Sequence, residues 1–208
     1  MVDVSILLPS LREDAARNVI DWINYFKVPY KYEIVLVAPF HIDKPNVLCV
    51  KDNGPFLGSI KPINDGYAAS SGRYITLAGD DAPYDIGWWT IIDFVENLDR
   101  SRKFRIAGFG KTYMRLFRHV YKRPKLRRLP GLKKFHGHPK VHGIYIPGWF
   151  CADRPTVELL GGSPFRAEYQ AHCADVDVGL KLHWAGEPIE FCHDARIIAS
   201  GNIDDDLH

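Results

Sequence analysis

Apolar residues in the first half of the chain fall into short runs that alternate with segments of helical spacing. Four of the runs are followed by turn-forming residues, as expected of buried parallel strands: 4–8, 32–37, 46–50 and 73–78. Between them, apolar residues recur every three or four positions over 14–27 and 64–71, which predicts two helices with one apolar face each. Repeated strand–helix–strand units with short connections predict an α/β fold with a doubly wound, mostly parallel sheet.

The second half of the chain continues this alternation less regularly. Its apolar patterns predict helices over 88–98, 155–160 and 175–185, and strands over 106–109, 141–150 and 188–192. The sequence contains no internal repeat and no low-complexity segment. We therefore expect a single domain over residues 1–208, with 1–100 and 101–208 as its two halves.

The composition indicates one well-packed domain. The 208 residues are 46% hydrophobic and 12% aromatic, which argues against a disordered chain and is enough for one core. No apolar run approaches the roughly 18–20 residues of a membrane span, and the N-terminal residues lack the pattern of a signal peptide. We therefore expect a cytoplasmic protein whose four scattered cysteines are small buried residues.

Charge is distributed unevenly along the chain, although the net charge is only +2. Residues 111–140, the basic stretch, contain eleven Lys or Arg and no acid, so the rest of the chain holds 16 basic against 25 acidic side chains. Three interpretations are open: a solvated surface loop, a site for phosphate groups of a ligand or an anionic membrane, and a nucleic-acid contact.

Asp80 and Asp81 follow the predicted strand 73–78 and therefore lie at its carboxyl end. Two adjacent carboxylates repel each other unless a cation neutralises them, and divalent metals such as Mg²⁺ prefer these hard oxygen ligands. Ligands of doubly wound sheets also bind beyond the carboxyl ends of the strands. The pair predicts a metal site; the alternative is that both are turn residues, since Asp favours turns and Pro83 follows.

Three segments of the chain resemble family 2 glycosyltransferases of the GT-A fold. Residues 64–81 resemble the helix, glycine and strand that lead into the Asp-x-Asp or Asp-Asp motif of that family, and residues 5–10 resemble its first strand and nucleotide-binding turn. Residues 156–162 followed by 174–186 are similar to its acceptor-side block. The segments occur in the family's order and are distributed over most of the chain, from residue 5 to residue 186.

The resemblance implies a transferase that moves a sugar from a nucleotide-sugar, with UDP as the expected nucleotide, to a hydroxyl of a glycan or lipid-linked glycan. It implies that Asp81, with Asp80, holds Mn²⁺ or Mg²⁺, which stabilises the leaving diphosphate. Residues 1–100 then bind the donor, and 101–208 form the acceptor side, where the basic stretch offers a peripheral membrane contact; no nucleic acid is expected as a partner. The residues expected to contact the nucleotide-sugar are Pro9, Ser10, Arg12, Asp52, Lys61 and Asp80.

By the same resemblance, Asp175 is the catalytic base. An acceptor hydroxyl must lose a proton as it attacks, and a carboxylate can accept that proton. The start of a helix keeps such a carboxylate ionised because the helix dipole favours negative charge there; an ordinary N-cap is the alternative role. With one base and no evident nucleophile, the sugar is displaced directly and its anomeric carbon is inverted. Asp177, two residues on, is expected to point elsewhere.

The chain departs from the family pattern at three points. Its second strand ends without the usual acid, for which Asp52 is the candidate substitute; Ala174 stands where an acid normally precedes the base; and no histidine stands at the third metal-ligand position of some relatives. Two other functions stay open. A nucleotidyltransferase usually carries a glycine-rich loop after its first strand, which residues 9–12 lack, and a non-catalytic membrane or nucleic-acid module would leave Asp81 and Asp175 without a role.

Overall fold

The computed structural model describes residues 2–55, 58–81, 84–112, 149–169, 174–188 and 190–198. The strands within these ranges are β1 (Val4–Pro9), β2 (Tyr32–Ala38), β3 (Val47–Lys51), β4 (Tyr74–Leu77), β5 (Ile106–Thr112), β6 (Phe150–Asp153) and β7 (Glu190–Ile198). The helices are α1 (Glu13–Tyr25), α2 (Ile60–Ala69), α3 (Thr90–Glu96), α4 (Arg154–Gly161) and α5 (Ala174–Trp184). No helix in these ranges is long and apolar enough to cross a membrane.

The strands form one sheet in the order β3-β2-β1-β4-β6-β5-β7. Strand β1 is parallel to both β2 and β4, β2 is parallel to β3, and β5 is parallel to β7. Strand β6 alone among these runs antiparallel to its neighbours β4 and β5. The predicted α/β fold with a mostly parallel sheet is therefore confirmed.

Two apolar clusters cover the two faces of the sheet. On one face, side chains such as Ile20 and Ile23 of α1 and Ile91 of α3 pack against the sheet. On the other face, helices α2, α4 and α5 contribute residues such as Ile63 and Val178. Because each helix buries only one face, its apolar residues must recur every three or four positions, which is the pattern seen in the sequence.

Helix α2 begins earlier than the sequence pattern predicts. The apolar spacing predicts a helix over 64–71, but the helix starts at Ile60 and ends at Ala69. Pro62 lies in its first turn, where a missing backbone N–H costs no hydrogen bond and the fixed backbone angle of proline suits a helix. Pro62 therefore belongs to the helix, and the prediction from apolar spacing starts four residues too late.

Strand β7 is longer than predicted, and β6 falls late in its predicted range. The prediction for β7 stops at 192, whereas Ala195 and Ile197 continue the buried face and His193, Asp194 and Arg196 are exposed. The polar residues on the outer face conceal that alternation. Of the strand predicted over 141–150, residues 141–148 lie outside the described part of the chain, and β6 starts at 150.

Gly72 lies where the segment before β4 passes directly over β1. Its N–H donates to Ser5 Oγ at 2.8 Å, and its carbonyl accepts from Arg154 Nε at 2.9 Å. A Cβ atom at this position would lie 2.5 Å from the backbone nitrogen of Ser5. The two backbones are therefore too close for any side chain here.

We predict that Gly72→Ala lowers the free energy of unfolding by about 1–3 kcal/mol, the usual cost of forcing extra volume into a packed site. Gly66→Ala, in α2, is the matched control. Its Cβ would meet side-chain methyls and no backbone atom, the nearest being that of Val37 at 3.1 Å, and alanine improves helix propensity. Urea denaturation measures both variants. Equal midpoints for Gly72→Ala and the parent protein would contradict the close approach.

Candidate active site

Two adjoining clefts open at the carboxyl ends of the parallel strands. The larger cleft has a volume of about 470 Å³ and the smaller about 330 Å³. Pro9 at the end of β1, Ser59 before α2 and Asp80 after β4 line both clefts. This is the edge at which doubly wound sheets bind their ligands, because loops from several strands converge there.

Asp80 joins the turn after β1 to the turn after β4. Ser10 Oγ donates to Asp80 Oδ2 at 2.6 Å, Arg12 Nε donates to the same oxygen at 3.1 Å, and a second Arg12 nitrogen donates to Oδ1. The Asp80 side chain is only 14% exposed, whereas that of Arg12 is 48% exposed. A two-point contact between a guanidinium and a carboxylate is rigid, so Asp80 fixes Arg12 at the smaller cleft, which both residues line.

Asp81 lines the larger cleft beside a tryptophan that arrives from the other half of the chain. Strand β6 is antiparallel to β4 and pairs Cys151 with Thr76, which brings Trp149, just before β6, to the carboxyl end of β4. A Cβ atom on Gly79 would lie 2.6 Å from Asp81 Oδ1 and 3.4 Å from Trp149 Nε1. The glycine thus leaves room for both side chains at this wall.

Asp175 lines the same larger cleft as Asp81. It is the second residue of α5 and is half-buried, and its Oδ1 accepts the backbone N–H of Val176 at 2.9 Å. Asp177, in contrast, lies 3.0 Å from Lys181 Nζ and 4.0 Å from a guanidinium nitrogen of Arg166, and it lines neither cleft. Only the first of these two carboxylates is placed to meet a ligand.

The smaller cleft collects most of the residues that the sequence associates with the nucleotide. Ser10, Arg12 and Asp52 line it together with Pro9. Asp52 directly follows β3 and is buried, and its Oδ1 accepts the N–H of Gly54 at 3.0 Å. A buried carboxylate in a cleft with apolar walls is a specific acceptor for N–H groups of a ligand.

Lys61 is not brought to either cleft. It lies in the first turn of α2, is exposed and pairs with Asp65 one turn later. The hydrogen bond to Asp65 raises the pKa of Lys61. The side chain therefore points along the helix surface, and its predicted nucleotide contact stays a prediction.

Phe165 lines the larger cleft, although it lies outside the segments that the sequence associates with a site. Phe165 forms part of the wall, and Asn64 of α2 holds its backbone at both polar atoms, with Nδ2 donating to the Phe165 carbonyl at 2.8 Å and Oδ1 accepting its N–H at 3.2 Å. Phe165 lies in an irregular segment with no periodicity. Only the three-dimensional pairing shows that it belongs to the site.

The carboxylates at the cleft could coordinate a divalent cation together with oxygens of a bound ligand. Among the described residues, no group of three or more His, Cys, Asp or Glu side chains could hold a metal. The carboxylates of Asp81 and Asp80 are hard oxygen donors, and Mg²⁺-like ions commonly use one or two carboxylates and take their other ligands from phosphates and water. The basic stretch lies outside the described residues, apart from the backbone of 111 and 112.

Comparison with known proteins shows the fold. No protein-family model and no curated protein matches the sequence. Among solved structures, the chain is similar to mannosyltransferase PcManGT from Pyrobaculum calidifontis in complex with GDP-Man and Mn²⁺, with 15% identity over 98% of this chain and 60% of that one, at a TM-score of 0.67. It is also similar to GalNAc-T7 with UDP, GalNAc and Mn²⁺, with 11% identity over 96% of this chain and 44% of that one, at a TM-score of 0.67.

A further similar structure is that of S. aureus TarS, with 13% identity over 95% of this chain and a TM-score of 0.63. The chain spans 36% of TarS, so it corresponds to only part of the larger protein. The seven-stranded sheet and its helices are thus those of a GT-A-like glycosyltransferase fold.

Proposed function

We propose that this protein is a metal-dependent glycosyltransferase that moves a sugar from a nucleotide-sugar to an acceptor hydroxyl. The observation that carries the proposal is the meeting of Asp81 and Asp175, far apart in the chain, in one cleft at the carboxyl edge of a GT-A-like sheet. Three similar structures are of proteins solved with GDP-Man, with UDP and GalNAc, or with UDP. That likeness concerns the fold, and the proposal depends on the residues of this chain.

The smaller cleft suits the nucleoside part of a UDP-sugar. Val37 and Pro62 give it apolar walls, and Asp52 offers a buried carboxylate to an N–H group of the base. The exposed guanidinium of Arg12, held by Asp80 at the junction of the clefts, would face the diphosphate, for which a planar cation is well suited. The sugar would then extend into the larger cleft.

Asp81, supported by Asp80, would hold Mn²⁺ or Mg²⁺, which when bound supplies Lewis-acid stabilisation of the leaving nucleoside diphosphate. Both oxygens of Asp80 are already engaged by Ser10 and Arg12.

Asp175 would accept the proton of the attacking hydroxyl. It lies in the first turn of α5, where the N–H groups of a helix start favour a negatively charged side chain. Trp149 and Phe165 add aromatic walls to the same cleft. One base without a separate nucleophile supports direct displacement with inversion. We propose a glycan or lipid-linked glycan as the acceptor.

The proposal is tested by a thermal-shift panel of nucleotide-sugars, each with and without Mn²⁺. A ligand that binds only the native state stabilises it by mass action, by about 2.7 kcal/mol at a hundred times its Kd. We expect a UDP-sugar to raise the melting temperature when Mn²⁺ is present and to leave it unchanged when Mn²⁺ is absent. A rise only with nucleoside triphosphates would favour a nucleotidyltransferase, and a rise only with oligonucleotides or anionic vesicles would favour a binding module.

A further inference from the structure

Tyr84 ties the end of the Asp80–Asp81 loop back to the strand from which that loop departs. Its hydroxyl donates to the Leu77 carbonyl at 2.8 Å and lies 3.0 Å from Thr76 Oγ1. Leu77 is the last residue of β4, so this contact closes a short loop that has both carboxylates inside it. The Tyr84 side chain is completely buried.

The backbone of Tyr84 is held by two further elements. Its carbonyl accepts the indole N–H of Trp22 in α1 at 2.7 Å, and its backbone forms an antiparallel bridge to Ile197 of β7. The next N–H, that of Asp85, donates to the Arg196 carbonyl at 2.9 Å. Tyr84 therefore links α1, β4 and β7 at a single residue.

The ring of Tyr84 has a fixed plane because it lies between two other aromatic rings. It stacks on Trp88 with centroids 4.6 Å apart and on Phe109 with centroids 5.2 Å apart, at interplanar angles of 17° and 22°. Burial raises the pKa of the Tyr84 hydroxyl, so the group stays protonated and donates. The packing of the ring thus fixes the direction of the hydroxyl. The hydrogen bond from this hydroxyl to the Leu77 carbonyl in turn fixes the position of the loop end relative to β4.

We infer that Tyr84 is a positioning residue for Asp80 and Asp81, and that its hydroxyl sets the geometry with which this carboxylate pair meets a metal-bound nucleotide. The inference deepens the proposed function and rests on it for the identity of the ligand. Catalytic groups must be held within about 0.5 Å of their productive geometry by locked neighbours. A displacement of about 1 Å by a change away from the chemistry can cost a hundredfold in rate.

The test compares Tyr84→Phe with Tyr74→Phe. Both changes remove one buried tyrosine hydroxyl, but that of Tyr74 has no hydrogen-bond partner among the described residues. Hydrogen exchange read on the peptide 78–88 reports the order of the loop without any ligand. We expect exchange at least about tenfold faster in Tyr84→Phe, because the hydroxyl bond closes the loop, and no change in Tyr74→Phe.

A second readout separates positioning from general stability. We expect Tyr84→Phe to weaken Mn²⁺-dependent UDP binding in calorimetry by about tenfold. Ile20→Val, a core change in α1 that costs about 0.5–1.5 kcal/mol, serves as the stability control and should leave UDP binding unchanged. Parent-like exchange in the 78–88 peptide of Tyr84→Phe would overturn the inference. If the parent protein binds no UDP, the proposed function fails, while the exchange data still decide the role of Tyr84.

Discussion

Replacing Asp81 with Asn is expected to abolish metal-dependent binding of the nucleotide-sugar and to lower turnover by at least about a hundredfold. The substitution keeps the shape of the side chain but removes the negative charge that the cation needs. Losses of about 10²–10³ are typical when one electrostatic contact to a developing charge is removed. Calorimetry of UDP with and without Mn²⁺, followed by turnover with the donor found in the thermal-shift panel, measures both effects.

Asp43→Asn is the control for this substitution. Asp43 is exposed on the loop between β2 and β3 and lines neither cleft, so the variant removes one negative charge from the protein without touching the site. It should bind UDP and Mn²⁺ as the parent does. Retention of Mn²⁺-dependent binding by Asp81→Asn would show that the cation is held elsewhere.

Asp175→Asn is expected to lower turnover by about 10²–10⁴-fold, the usual contribution of a positioned general base. Asparagine fits the same space, but it cannot accept the proton of the acceptor hydroxyl. Donor affinity should change by less than about twofold, because Asp175 would meet the acceptor and not the nucleotide. Steady-state turnover and calorimetric UDP binding, measured on the same preparation, separate the two effects.

Asp177→Asn tests whether the loss of turnover in Asp175→Asn comes from the missing base or from a destabilised helix α5. Asp177 lies on the same helix and pairs with Lys181 outside the clefts, so its change should lower the melting temperature and spare turnover by the folded enzyme. If Asp175→Asn instead loses donor binding and melting temperature together, Asp175 has the role of a helix-terminal structural residue.

Much of the fold could be predicted because each element repeats one local rule many times. Buried parallel strands require continuous apolar runs, and helices on a sheet require apolar residues every three or four positions, so β1, β2 and α1 are visible in the sequence alone. The predicted start of α2 at residue 64 is too late, because its first turn contains Pro62, which is compatible with the start of a helix but does not indicate one. The far half of β7 was missed because its outer face carries charged residues.

Part of the candidate site could also be predicted from the sequence, and part could not. Asp80, Asp81 and Ser10 could be expected to lie close together, since residues that follow parallel strands share one edge of the sheet. The ion pair of Arg12 with Asp80 could not be expected, because it depends on side-chain conformations in two separate loops. The pairing of Lys61 with Asp65 could not be expected either, because it depends on the side-chain conformation on the surface of α2; its nucleotide contact, implied by the resemblance, stays a prediction.

The two hydrogen bonds between Asn64 and Phe165 also have a consequence for the order of folding. The two residues are 101 positions apart. Closing a loop of that size costs conformational entropy, which is offset only by the contacts formed after both ends have packed. The parallel strands of the first half form their contacts over shorter distances in the chain, and shorter loops close faster. We therefore expect the smaller cleft to be complete early in refolding and the Phe165 wall of the larger cleft to be the last part to form.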